Sequence, residues 1–106
     1  MSQYTIYRNK SLKSKEQYPY FIDIQNELLS DIDSRVIIPI TQLSHKNSQI
    51  EILAPVIEID NQKYVVMTKS ITTVAKSKLR TVDVVCVRPE IHTAIVFAMD
   101  MIISGI

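Results

Sequence analysis

The sequence predicts a mainly β (α+β) fold: a twisted antiparallel sheet or partly open barrel of several short strands, closed by one C-terminal α-helix. Three features predict it. Short alternating or β-branched runs recur as far as Val87, separated by polar turns. After Pro89 that pattern gives way to a stretch without a helix breaker as far as Ile103. The single glycine of the chain, Gly105, falls where a helix C-cap belongs.

Gln3 to Tyr7 alternates and is rich in aromatic and β-branched residues, as a half-buried strand should be. Arg8 to Gln17 is polar and aperiodic, and reads as a mobile loop. Strand character resumes at Tyr20 to Gln25, with Pro19 fixing its start. Asn26 to Ser34, dense in Asp and Ser around Leu28 and Leu29, reads as a turn. Arg35 to Ile40 is a further strand in which Pro39 marks a bulge or an edge. Thr41 to Gln49 is a polar loop or one helical turn. Ile52 to Ile59 and Lys63 to Thr68 are joined by Asp60-Asn61-Gln62, a hairpin without the usual glycine. Ile71 to Val74 is a short extended segment, and Val82 to Val87 is the last strand.

At 106 residues the chain is read as one domain, 1–106, because halving it would leave each part too small for a stable core. Apolar residues make up 46% and charged residues 22%, so the chain folds. A formal charge of +1 gives no global field for nucleic acid or anionic membrane. The N-terminal residues lack a signal peptide's apolar stretch, and no apolar run is long enough for a membrane span. With Cys86 the only cysteine, amid valines that suggest a buried, inert thiol, the expected location is the cytoplasm.

The helix carries the main functional signal. Pro89 suits its first position and Glu90 its positive N-terminal end. At 100° per residue, Ile91, Ala94, Ile95, Ala98, Ile102 and Ile106 form one stripe that should pack on the sheet. Val96, Phe97, Met99, Met101 and Ile103 flank that stripe, leaving only Thr93, Asp100 and Ser104 as a polar strip with His92 at its edge. So wide an apolar arc points to a homodimer interface or a partner site.

Chemistry is sparse. One glycine cannot build a phosphate loop, and His45 and His92 have no carboxylate or Cys at metal-ligand spacing, so no cofactor and no metal are expected. Asp23 and Arg35 could pair as residues of neighbouring strands, as a structural salt bridge or a solvated pair rather than as a catalytic one. The loop cations Arg8, Lys10, Lys13 and Lys15 are candidates for docking an acidic segment.

Four segments taken in order carry a resemblance. They are Tyr20 to Gln25 followed by Leu28-Leu29, Arg35 to Ile40, Leu53 to Ile59, and Ile102 to Ile106. Together they resemble the CcdB family of toxins from type II toxin–antitoxin modules, with spacing that matches along the whole chain. The resemblance implies a homodimer with the SH3-like fold shared with MazF/Kid-type ribonuclease toxins: a five-stranded sheet, a smaller second sheet and the C-terminal helix. It implies binding to the A subunit of DNA gyrase, a type II topoisomerase, and trapping of its DNA cleavage complex, which blocks replication and transcription. It further implies a role in plasmid maintenance and neutralisation by a CcdA-like antitoxin through a disordered acidic segment. Operator DNA is reached for transcriptional repression only through the antitoxin complex.

The family pattern places gyrase binding on Leu28, Leu29, Asp100, Ser104, Gly105 and Ile106. Well-known members carry Trp where this chain has Ser104 and Asn where it has Asp100. Losing an aromatic anchor costs a few kcal/mol at a hot spot. On this reading the protein is not an enzyme but inhibits one. The alternatives are a ribonuclease toxin on the same fold, using Arg35 with a His or Thr, and a degenerate, non-toxic antitoxin-binding module.

Overall fold

The structure is a computed structural model, which describes residues 3–26, 28, 32–44 and 54–105. Seven strands are present among these residues: β1 (Thr5–Arg8), β2 (Tyr20–Asp23), β3 (Ser34–Gln42), β4 (Val56–Ile59), β5 (Gln62–Val66), β6 (Thr72–Ala75) and β7 (Val84–Val87). One helix follows, α1 (His92–Ser104), led in by a 3-10 turn at Pro89–Ile91. All pairings are antiparallel, in the order β4-β5-β3-β2-β1-β7, with β6 also on β3. The sheet curls into the half-barrel that the sequence predicts.

Register explains the core. Ile6, Ile22 and Ile38 lie opposite one another on β1, β2 and β3, with Cys86 beside Ile6 on β7. All three isoleucines are fully buried and belong to one cluster with Ile91 and Ile95 of the C-terminal segment. On alternate positions the other face carries Tyr7, Phe21 and Pro39, again mutually opposite. The Tyr7 and Phe21 rings stack with centroids 5.9 Å apart.

Pro39 sits at a fork rather than at a bulge or an edge. β3 pairs β6 as far as Ile37 and β5 from Ile40 onward, so Ile38 and Pro39 have no strand partner on that side. A residue without an N–H is tolerated where a strand changes partners. The smaller sheet is therefore continuous with the larger one through β3. The β4–β5 hairpin turns on Asp60 and Asn61, both at positive φ (51° and 66°). Those are the residue types that tolerate the left-handed region a two-residue hairpin needs, which is why no glycine is required.

Two further expectations change. The segment after β1 is a hydrogen-bonded set of turns. Asn9 Nδ2 donates to Ser14 Oγ at 3.0 Å and to the Tyr18 carbonyl at 2.7 Å, while Asn9 Oδ1 accepts from the Ser11 amide at 3.0 Å. Cys86 is half-buried rather than buried, because β7 is an outer strand. Leu29, His45, Leu53 and Ile106, and most of the predicted loop before β4, lie outside the described residues.

Candidate functional site

Packing fixes α1 at its beginning and leaves its end free. Tyr4, buried and at φ 66°, hydrogen-bonds His92 Nδ1 through its hydroxyl, and its carbonyl accepts from the Arg88 amide at 2.9 Å. Ile91, Ile95 and Ala98 then form the buried row, with Met99 packed beside it. Ala94 and Ile102, expected in that row, are exposed. The sheet covers only the first turns of the helix, so the inward row is shorter than its apolar periodicity and tilted toward Met99.

Beyond that row the helix is apolar and exposed. Val96, Phe97 and Ile102 are each partly exposed, and Ile103 is 78% exposed. Gly105 ends the helix at φ 72°, its amide donating to the Met101 carbonyl at 2.9 Å. This left-handed cap is the reason for a glycine there, since a side chain would be strained at that φ.

The helix thus brings Asp100, Ser104 and Gly105 onto one exposed end. Thr93, Phe97, Asp100 and Ser104 follow one another at spacings of four, three and four, which is a single outward stripe. Phe97, 48% exposed, therefore stands on the stripe whose expected aromatic is missing at Ser104. In the sequence it counts among the residues flanking the apolar stripe, although its spacing already aligns it with Thr93, Asp100 and Ser104; the structure adds its exposure.

Leu28 lies elsewhere, on the segment after β2, and is 90% exposed. Its amide donates to Asn26 Oδ1 at 2.8 Å. No hydrogen bond or ion pair joins it to the helix end among the described residues. What holds the start of its segment is a buried charge network. Arg35 Nε donates to Asp23 Oδ2 at 2.9 Å and Nη2 to Oδ1 at 3.0 Å. Nη2 also donates to the Gln25 carbonyl at 3.2 Å, the Gln25 amide donates to Asp23 Oδ1 at 3.0 Å, and Gln25 Oε1 accepts from the Val36 amide at 2.9 Å.

Both charged side chains of that pair are 0% exposed, so Asp23 and Arg35 form a buried salt bridge and not a solvated pair. Burial pushes the Asp23 carboxyl up, and the Arg35 guanidinium draws it back down. Arg35 consequently has no route to a substrate. That removes the residue on which the ribonuclease alternative depended.

Of the candidate docking cations, Arg8, Lys10, Lys13 and Lys15 are all exposed. Lys10 Nζ pairs with the buried carboxylate of Asp83 at 3.1 Å. Arg8 and Lys10 line a cavity of about 510 Å³ that also reaches Phe21, Pro39 and Lys78. Among the described residues no group of three His, Cys, Asp or Glu side chains is placed to hold a metal, and no helix is long and apolar enough to cross a membrane.

The family model described as CcdB protein matches residues 3–105 of the 106-residue chain. No curated protein matches it.

Proposed function

The chain belongs to the CcdB family, toxins of toxin–antitoxin systems, and from that premise we propose that it acts by binding the A subunit of DNA gyrase and holding that enzyme on cleaved DNA. The observation that carries this reading is the free end of α1. An apolar helix whose buried row is Ile91, Ile95 and Ala98 with Met99 beside it presents Phe97, Asp100, Ile103, Ser104 and Gly105 outward. Large exposed apolar residues beside a few polar ones are what a protein-binding hot spot needs. Leu28 adds a second apolar contact from its own segment. The binding contribution of Leu29 and Ile106 belongs to the same proposal.

Phe97 takes over as the aromatic anchor that Ser104 does not supply, two helical turns earlier on the same stripe. The homodimer belongs to this reading as well, with the exposed flank at Val96 and the uncovered end of the inward row at Ile102 supplying apolar area for a second copy. Neutralisation by a CcdA-like antitoxin, through an acidic segment drawn to Arg8, Lys10, Lys13 and Lys15, completes it. No chemical step is required of the toxin, since it works by stabilising one state of another enzyme.

The experiment is a truncation. Removing Ser104, Gly105 and Ile106 is expected to abolish growth arrest on expression while thermal unfolding and oligomeric state stay close to those of the full chain. Growth arrest by the folded truncated chain would overturn the proposal.

A further inference from the structure

The near-neutral net charge of the chain hides a strong local imbalance. Residues 8–16 and 76–83 together hold seven of its twelve Lys and Arg but only two of its eleven carboxylates, Glu16 and Asp83. These segments are some sixty residues apart in sequence, yet the Lys10–Asp83 ion pair joins them and both line the same cavity. Lys78 stands on one wall and Arg8 with Lys10 on the other. The floor is apolar: Phe21, Ile37, Pro39 and Val74, from β2, β3 and β6. These residues alternate with the core isoleucines Ile22 and Ile38, so the cavity opens on the face of the sheet opposite α1. A shallower hollow of about 360 Å³ continues from it across Arg8 and Asn9 to Lys15.

We propose that this two-walled basic cleft is the seat of an acidic peptide segment of a partner protein, which sets one apolar side chain into the cavity over Phe21 and Val74. The inference deepens the antitoxin reading above and rests on it. It adds a second wall, at Lys78, and an apolar anchor point that the loop cations alone do not provide. Charge complementarity selects the occupant, because clustered cations on both walls steer an anionic chain and reject a basic one. The floor selects between anionic chains. Single-stranded nucleic acid is held by open aromatic platforms, whereas of the aromatic rings lining this cavity, Tyr18, Tyr20 and Phe21, the Phe21 ring is already stacked on Tyr7 and the Tyr20 ring packs edge-on to Tyr64. An aliphatic or aromatic peptide side chain fits it better than a base.

The Lys10–Asp83 pair gives the cleft a further property. Asp83 has a side chain only 7% exposed, and it draws the Lys10 ammonium onto the wall. Removing that carboxylate leaves the wall more positive.

The test is fluorescence anisotropy with the full chain and a labelled short peptide rich in Glu and Asp around a single Phe. Its comparators are the same peptide with Ala for Phe, and a thymidine oligonucleotide. Lys78→Glu, at an exposed position, is expected to weaken peptide binding by about tenfold. Asp83→Asn is expected to tighten it, and the Ala peptide is expected to bind more weakly than the Phe peptide. Added salt is expected to weaken binding throughout. Equal affinity of the native chain and Lys78→Glu would overturn the proposal, as would tighter binding of the oligonucleotide than of the peptide. Growth arrest by the native chain reads the toxin assignment separately. Arrest without peptide binding overturns the cleft alone, and peptide binding lost in Lys78→Glu supports the cleft even if no arrest occurs.

Discussion

Arg35 and Asp23 form the buried ion pair of the sheet. Each is stripped of water, and each is held by the other and by the Gln25 backbone. Removing one partner strands the other charge in the interior, so Arg35→Met is expected to cost about 3–5 kcal/mol in urea unfolding. Removing both, as Asp23→Leu with Arg35→Met, is expected to cost less than the single change. The sequence places this pair on adjacent strands, but it does not show the burial, which depends on what covers both sides of β2 and β3. Burial also raises the phenols of Tyr4, Tyr7 and Tyr64 above their ordinary value of 10. In such groups the unfolded chain loses its protons first, so the stability they contribute is complete below pH 10 and is lost as pH rises through their raised values. Thermal unfolding followed against pH should show a falling midpoint above that point, with these phenols ionising last in an ultraviolet titration.

At the scale of elements, α1 divides into a docked half and a presented half. Ile95→Ala opens a cavity in the docked half and is expected to cost about 2–5 kcal/mol. Ile103→Ser, on the presented half, is expected to change stability by no more than about 0.5 kcal/mol while weakening growth arrest. Urea unfolding and expression assays on the two variants separate packing from binding. The helix itself, its start at Pro89 and its Gly105 cap are legible in the sequence because each is a local signal. Its inward row is only partly legible: Ile91, Ile95 and Ala98 follow from periodicity, but Ala94 is exposed because the row is turned toward Met99, and Ile102 because it lies beyond the covered turns. Phe97 reads as a flank residue in the sequence and as an outward aromatic in the structure. Strands announce themselves by alternation, whereas the fork at Pro39 is a choice of partners between β5 and β6 that no local pattern encodes.

Across the whole molecule the sheet separates two surfaces. One face carries α1 and, beyond it, the exposed helix end. The other carries the basic cleft built from residues 8–16 and 76–83. The first four of those cations are visible in sequence as one loop. The second group is not, because only folding brings it beside the first, and the charge sum of +1 conceals both. On the proposed assignments the target site and the antitoxin cleft lie on opposite faces, an arrangement that leaves one open to a second protein while the other is engaged. That arrangement depends on the helix end being the gyrase site. It is tested most directly by incubating the purified chain with gyrase and supercoiled plasmid and scoring protein-linked DNA breaks. The expected result is accumulation of cleaved plasmid with the native chain, and little or none with Phe97→Ala or with Ser104 to Ile106 deleted. Unchanged supercoiling activity with no trapped breaks, from a folded native chain in excess over gyrase, would contradict it.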